Sequence, residues 1–142
     1  MRALLDVNVL IALLDAAHVQ HAAAVKWLSQ NIKHGWASCP ITQNGCVRIL
    51  AQSAYPNCVP AVEAAARLRE AVRTVHHAFW ADGVSLLDDA LFNWSRLLGP
   101  RQVTDAYLLA LAVRNKGRFV TFDSAVPLAA VPDATPRHLI VI

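Results

Sequence analysis

Long apolar runs are the first thing this chain lacks. Its most hydrophobic stretch, Val7-Asn8-Val9-Leu10-Ile11-Ala12-Leu13-Leu14, falls far short of the roughly 20 residues a membrane span requires. Asp6 and Asp15 bracket it, and no cleavage region follows. Neither a membrane protein nor an exported one is expected; a cytoplasmic one is. Cysteine is equally sparse. Cys39, Cys46 and Cys58 are odd in number and show no CxxC spacing, which argues against a disulfide framework or a zinc site and for reduced, mostly buried thiols. Charge is scarce as well: 16% of the residues are charged against 56% hydrophobic, a balance that excludes disorder and favours a tightly packed or self-associating protein. No internal repeat, low-complexity tract or charge block divides the 142 residues, so one domain over 1–142 is expected. The small basic excess, +3 with a pI near 9.0, makes an anionic partner such as nucleic acid plausible.

What is present reads as alternating short strands and helices. Ala3-Leu4-Leu5 is a buried strand ending at Asp6, and the spacing predicts a short helix over Val9 to Leu14. A second helix is expected from His21 to Ile32, a strand at Trp36 to Cys39, a third helix between Ile41 and Ser53, and a fourth from Pro60. In that fourth helix Ala61, Ala65, Leu68, Val72 and Val75 repeat at helical spacing, with Arg67, Arg69 and Arg73 outside. Val84 to Leu86 reads as a strand, and Leu87, Leu91, Trp94 and Leu98 as one face of a fifth helix. The segment from Thr104 to Asn115 is apolar around nearly its whole circumference, which predicts an interior helix. Phe119 to Thr121 and Leu139 to Ile142 complete the strands. This alternation predicts an α/β fold with a mainly parallel central sheet flanked by helices.

Ligands of such sheets sit beyond the carboxyl ends of the strands. That rule singles out Asp6 after the first strand and Asp123 after the late one, and Asp105 joins them if its helix opens there. Each interrupts an apolar segment, where an unpaired carboxylate is costly to keep ionised. Two carboxylates about 4 Å apart repel by roughly 4 kcal/mol at an effective dielectric near 20. The sequence-adjacent bases Arg2 and Arg118 fall at the opposite ends of their strands, so a hard divalent cation is the simplest compensation.

The segments Leu-Leu-Asp6-Val-Asn8-Val-Leu-Ile, Thr104-Asp105-Ala-Tyr-Leu-Leu-Ala-Leu-Ala and Phe-Val-Thr121-Phe-Asp123 together resemble the PIN-domain family. The segments from Pro40 to Gly45 and from Phe79 to Asp82 are similar to those of VapC-type toxins of bacterial toxin–antitoxin pairs. The resemblance covers nearly the whole chain. It implies a PIN-like fold and a Mg²⁺- or Mn²⁺-dependent endoribonuclease that hydrolyses RNA and is held inactive by a cognate antitoxin. On that mapping Asp6 and Asp105 are the principal metal ligands and Asp123 binds metal directly or through water. Asn8, Thr104 and Thr121 support them, and Arg48 is a candidate substrate contact. PIN toxins commonly dimerise, which makes a homodimer the expected assembly. Many family members carry a glutamate about where this chain has Gln43, so one negative charge is missing; Gln43 is expected to face the shared cavity as a weak, uncharged participant.

Other readings compete. A catalytically impaired homologue serving as an RNA- or antitoxin-binding module follows from Gln43. A phosphatase using Asp6 as covalent nucleophile is a third, although Asn8 stands where that class needs a second aspartate. For Asp82, Asp88 and Asp89 ordinary surface roles are expected, for His18 and His21 packing or surface roles, and for the Arg67, Arg69 and Arg73 row a solvated helix face.

Overall fold

A computed structural model describes residues 1–142. Five strands, β1 (Ala3–Leu5), β2 (Trp36–Ser38), β3 (His77–Phe79), β4 (Arg118–Thr121) and β5 (Leu139–Val141), form one sheet in the order β3-β2-β1-β4-β5, every pair parallel. Side chains of a strand alternate between faces, and the core divides accordingly. Leu4 and Phe119 pack with the interior helix α5 (Gln102–Arg114), while Ala3, Leu5 and Val120 pack with α1 (Val7–Leu14), α2 (His21–Asn31), α3 (Pro40–Leu50) and α4 (Ala61–Ala71). From Ala106 to Ala112 every residue of α5 is buried, which is why its sequence shows no polar face. No helix is long and apolar enough to cross a membrane.

The strand order reverses at β1, whose neighbours are β2 on one side and β4 on the other. The crevice of a doubly wound sheet opens at such a switch point, beyond the carboxyl ends of the two strands. Asp6 and Asp123 follow those ends. Close packing of α1 on α3 shapes the same crevice: a Cβ at Gly45 would meet Val7 Cγ2 at 2.6 Å, so only glycine lets the helices approach this far.

One expected helix is absent. Between Asp82 and Arg101 the chain runs through turns with a single 3₁₀ turn at Trp94–Arg96, and the strand that enters the sheet is His77–Phe79 rather than Val84 to Leu86. Local side-chain bonds compete with helix here: the Ser85, Asp88 and Asn93 side chains accept from the backbone N–H groups of Leu87, Ala90 and Ser95. The spacing was not a buried face either, because Leu87 and Leu98 are exposed while Val84 and Phe92 anchor the segment. Helix α4 likewise stops at Ala71, leaving Val75 outside it.

Candidate metal centre

Asp6 caps α1. Its extended backbone ends β1, and its Oδ1 accepts from the Val7 N–H at 2.7 Å, where the positive helix end favours a negative group. Oδ2 accepts from the Thr121 hydroxyl at 2.6 Å. The same Thr121 Oγ1 accepts from Asn8 Nδ2 at 3.2 Å and from the Asp123 N–H at 3.0 Å. Thr121 is therefore the knot that fastens the ends of β1 and β4 together, with Asn8 as its brace. Asp105 lies in the first turn of α5, which opens at Gln102. Gln102 joins that helix start to the segment after β4, its Nε2 donating to the Ala125 carbonyl at 2.9 Å.

Two of the three aspartates, Asp6 and Asp105, are unfavourably placed for charge. Burial raises Asp6 above the ordinary carboxylate range; bonds from Thr121 and Val7 oppose this, and the charge of Asp123 adds to it. Asp105 is pushed up to about 6, by burial first and then by the charges of Asp6 and Asp123. No cation answers them. The chain's two ion pairs, Arg67 with Glu63 and Arg73 with Glu70, both lie on α4. Arg2 donates to the Trp36 and His76 carbonyls, and Arg118 donates to Asn31 and lies over Trp27.

No group of three or more His, Cys, Asp or Glu side chains is gathered closely enough to hold a metal ion by itself. The donors fit a hard, hydrated cation nonetheless. Magnesium is bound by one or two carboxylates and keeps several waters, and a nine-tenths buried Asp6 beside two like charges is the kind of oxygen donor such an ion satisfies.

Asp6 and Thr104 line a cavity of about 460 Å³ together with Ile41, Asn44, Arg48 and Asp82. Gln43 is not among its walls. It lines the adjacent cavity between α3 and α4 with Arg48 and Arg69, and its Nε2 donates to Ser38 Oγ at 2.9 Å. The expectation that Gln43 faces the Asp6 cavity is therefore corrected: its amide is drawn to Ser38, at the carboxyl end of β2, and the cavity it borders shares Pro40, Asn44 and Arg48 with that of Asp6. Arg48 borders both cavities. Of the arginine row, Arg67 and Arg73 are paired on the outer face as expected, whereas Arg69 turns into the α3–α4 cavity. Asp82 is the residue that the sequence reading passed over. A signal was present, because it follows the last strand on its side of the sheet as Asp6 follows β1.

The PIN domain family matches residues 3–132. The chain is 55% identical over 139 residues to Ribonuclease VapC44 of Mycobacterium tuberculosis, covering 98% of each chain. It is 44% identical over 145 residues to Ribonuclease VapC38 of the same organism, covering 99% of each. Two solved structures share the fold. One is Mycobacterium tuberculosis VapC20, a Sarcin-Ricin loop cleaving toxin, with TM-score 0.60, 18% identity and coverage of 94% of this chain and 99% of that one. The other is VapBC2 from Rickettsia felis bound to a DNA fragment from their promoter, with TM-score 0.60, 12% identity and coverage of 100% and 98%.

Proposed function

The chain belongs to the PIN-domain family, and from that premise we propose that it is a VapC-type endoribonuclease that hydrolyses RNA phosphodiester bonds with a bound Mg²⁺ or Mn²⁺ ion. The observation that carries this reading is the set of Asp6, Asp105 and Asp123 at the switch point, mutually repelling and without a counter-cation. Asp6 and Asp105 would hold the cation, with Asp123 contributing directly or through water. When bound, the ion supplies Lewis-acid neutralisation of phosphate charge and acidifies water. The rest belongs to the chain. Thr121 and Asn8 fix the Asp6 carboxylate, Thr104 offers a hydroxyl to the cavity, and Arg48 places positive charge where a neighbouring phosphate would lie. A cognate antitoxin protein is the partner that silences this activity, and the protein works in the cytoplasm as one domain that pairs into a homodimer.

The test has two readings. Calorimetric titration with Mn²⁺ is expected to show binding that Asp6→Asn removes, and RNA incubated with the protein is expected to yield fragments with Mn²⁺ but not with EDTA. Absence of both binding and fragments would sink the proposal.

A further inference from the structure

The wall that α3 presents to the Asp6 cavity is made of Pro40, Ile41, Asn44, Gly45, Arg48 and Ile49. This is the i, i+3, i+4 stripe of one helix face, and it contains no acid. None can be placed at its centre, since even a Cβ at Gly45 would collide with Val7 Cγ2 at 2.6 Å. Gln43 points elsewhere and is committed to Ser38. Helix α3 therefore gives the site one positive charge, Arg48, and no negative one.

Asp82 lines the same cavity. It lies just past the carboxyl end of β3, in the segment between that strand and the turns leading to α5. Together with Asp6 and Thr104 it lines the cavity, and its side chain is exposed, outside every ion pair. The charge of Asp82 reaches inward as well: it contributes to raising the Tyr107 hydroxyl and the Cys39 thiol, after burial in both cases. Tyr107 is on α5, the helix that carries Asp105.

We propose that Asp82 is a positioning carboxylate of the divalent-cation site, holding the ion's water shell from its place in the cavity it lines with Asp6 and Thr104 and supplying the negative charge that α3 lacks. This rests on the divalent-cation reading above. A hydrated magnesium ion reaches past its direct ligands through its waters, and groups that bind those waters tune its affinity.

The experiment is Mn²⁺ titration by calorimetry, with the spin-resonance signal of free Mn²⁺ as a second readout, on the parent chain and on Asp82→Asn, Asp82→Glu, Asp88→Asn, Gln43→Glu and Asp6→Asn. Asp82→Asn is expected to weaken Mn²⁺ binding by about tenfold, the lower end for an outer-sphere partner. Asp82→Glu should recover most of that affinity. Asp88→Asn, which removes the same charge from the same exposed segment, and Gln43→Glu should each leave it within about twofold. Circular dichroism confirms that each variant is folded. Parental affinity in Asp82→Asn, while Asp6→Asn abolishes binding, would overturn the role of Asp82 and leave the metal centre standing. Equal weakening by Asp88→Asn would reduce the effect to general electrostatics and also overturn it. A parent chain that binds no Mn²⁺ would overturn both.

Discussion

Helix α1 carries a buried aspartate at each end, and the two are opposites. Asp6 at its start is 8% exposed and Asp15 at its end is 5% exposed. Asp15 is fully answered: the Tyr55 hydroxyl and Asn57 Nδ2 donate to Oδ2, and the Ala17 N–H donates to Oδ1 at 3.0 Å. Those bonds, the one from Tyr55 foremost, hold its carboxyl below the ordinary range. Asp6 also accepts two bonds, yet burial and the Asp123 charge leave it raised. Burial alone does not separate a structural carboxylate from a functional one. Like-charged neighbours without a cation do. On that basis Asp15 is an anchor that fastens the loop at Tyr55 to Asn57 onto α1, and Asp6 is a charge held in place against its own preference.

The largest way to break the comparison is to neutralise each end in turn. Asp6→Asn should lower metal-dependent RNA cleavage by at least about 100-fold, since a direct ligand matters no less than its outer-shell partners. The same variant should keep or raise the thermal midpoint, because it relieves repulsion. Asp15→Ala should do the reverse. Leaving the Tyr55 hydroxyl and the Asn57 amide without their acceptor costs about 2 kcal/mol, a fall of roughly 6 °C in the midpoint of a chain this long, while Mn²⁺ affinity stays at the parental value. Calorimetry of unfolding and of Mn²⁺ binding on both variants checks the pair, and loss of stability without loss of activity in Asp6→Asn would invert the assignment.

How much of this could be read without coordinates depends on which physical rule governs each residue. Asp6 and Asp123 were legible as residues beyond strand ends, because short apolar strands have definite ends and a parallel sheet puts ligands there. The bond that draws Gln43 towards Ser38 was not. Its direction is set by a partner 5 residues away in the chain but on the neighbouring strand, a contact that helical spacing does not register. The region from Asp82 to Arg101 misled for another reason: its apolar spacing mimicked a helix, while Ser85, Asp88 and Asn93 supply local bonds that spacing does not register. Asp82 was hidden in that same irregular stretch.

The comparison sharpens with pH. Because Asp15 is lowered in the folded state, the unfolded chain binds more protons, and the stability it contributes is present above about pH 3.9 and lost as pH falls through the folded value. Asp105 has the opposite sign. Its folded value of about 6 exceeds the unfolded one, so the folded state binds more protons and metal-free stability declines as pH rises from about 4 to 6. Thermal midpoints in EDTA should thus fall on both sides of a maximum in mildly acidic solution. Asp15→Asn should flatten the acid limb and Asp105→Asn the limb towards neutrality. Added Mn²⁺ should flatten only the second, since a cation favours the ionised carboxylates. A midpoint that climbs steadily to pH 7 in EDTA would show that the aspartates of the site are not under mutual strain.

The smallest expected effect separates metal from substrate on the cationic side of the cavity. Arg48 is exposed, borders both the Asp6 cavity and the α3–α4 cavity, and takes part in no ion pair. An exposed arginine of this kind adds little to stability, so Arg48→Gln should leave the unfolding free energy within about 0.5 kcal/mol of the parent. A charge that meets phosphate acts through counterion release, and each such contact on a single strand contributes about 0.7 to the slope of log affinity against log salt. Arg48→Gln should reduce that slope by about this amount in titrations of a labelled oligonucleotide with the cleavage-dead Asp6→Asn chain as background. Its weaker binding should converge with the parental value as salt rises. Mn²⁺ affinity should hold steady or improve slightly, because removing a positive charge cannot repel a cation. An unchanged slope would take Arg48 out of the substrate path, and weaker Mn²⁺ binding would mean that this side chain orders the carboxylate site rather than the phosphate beside it.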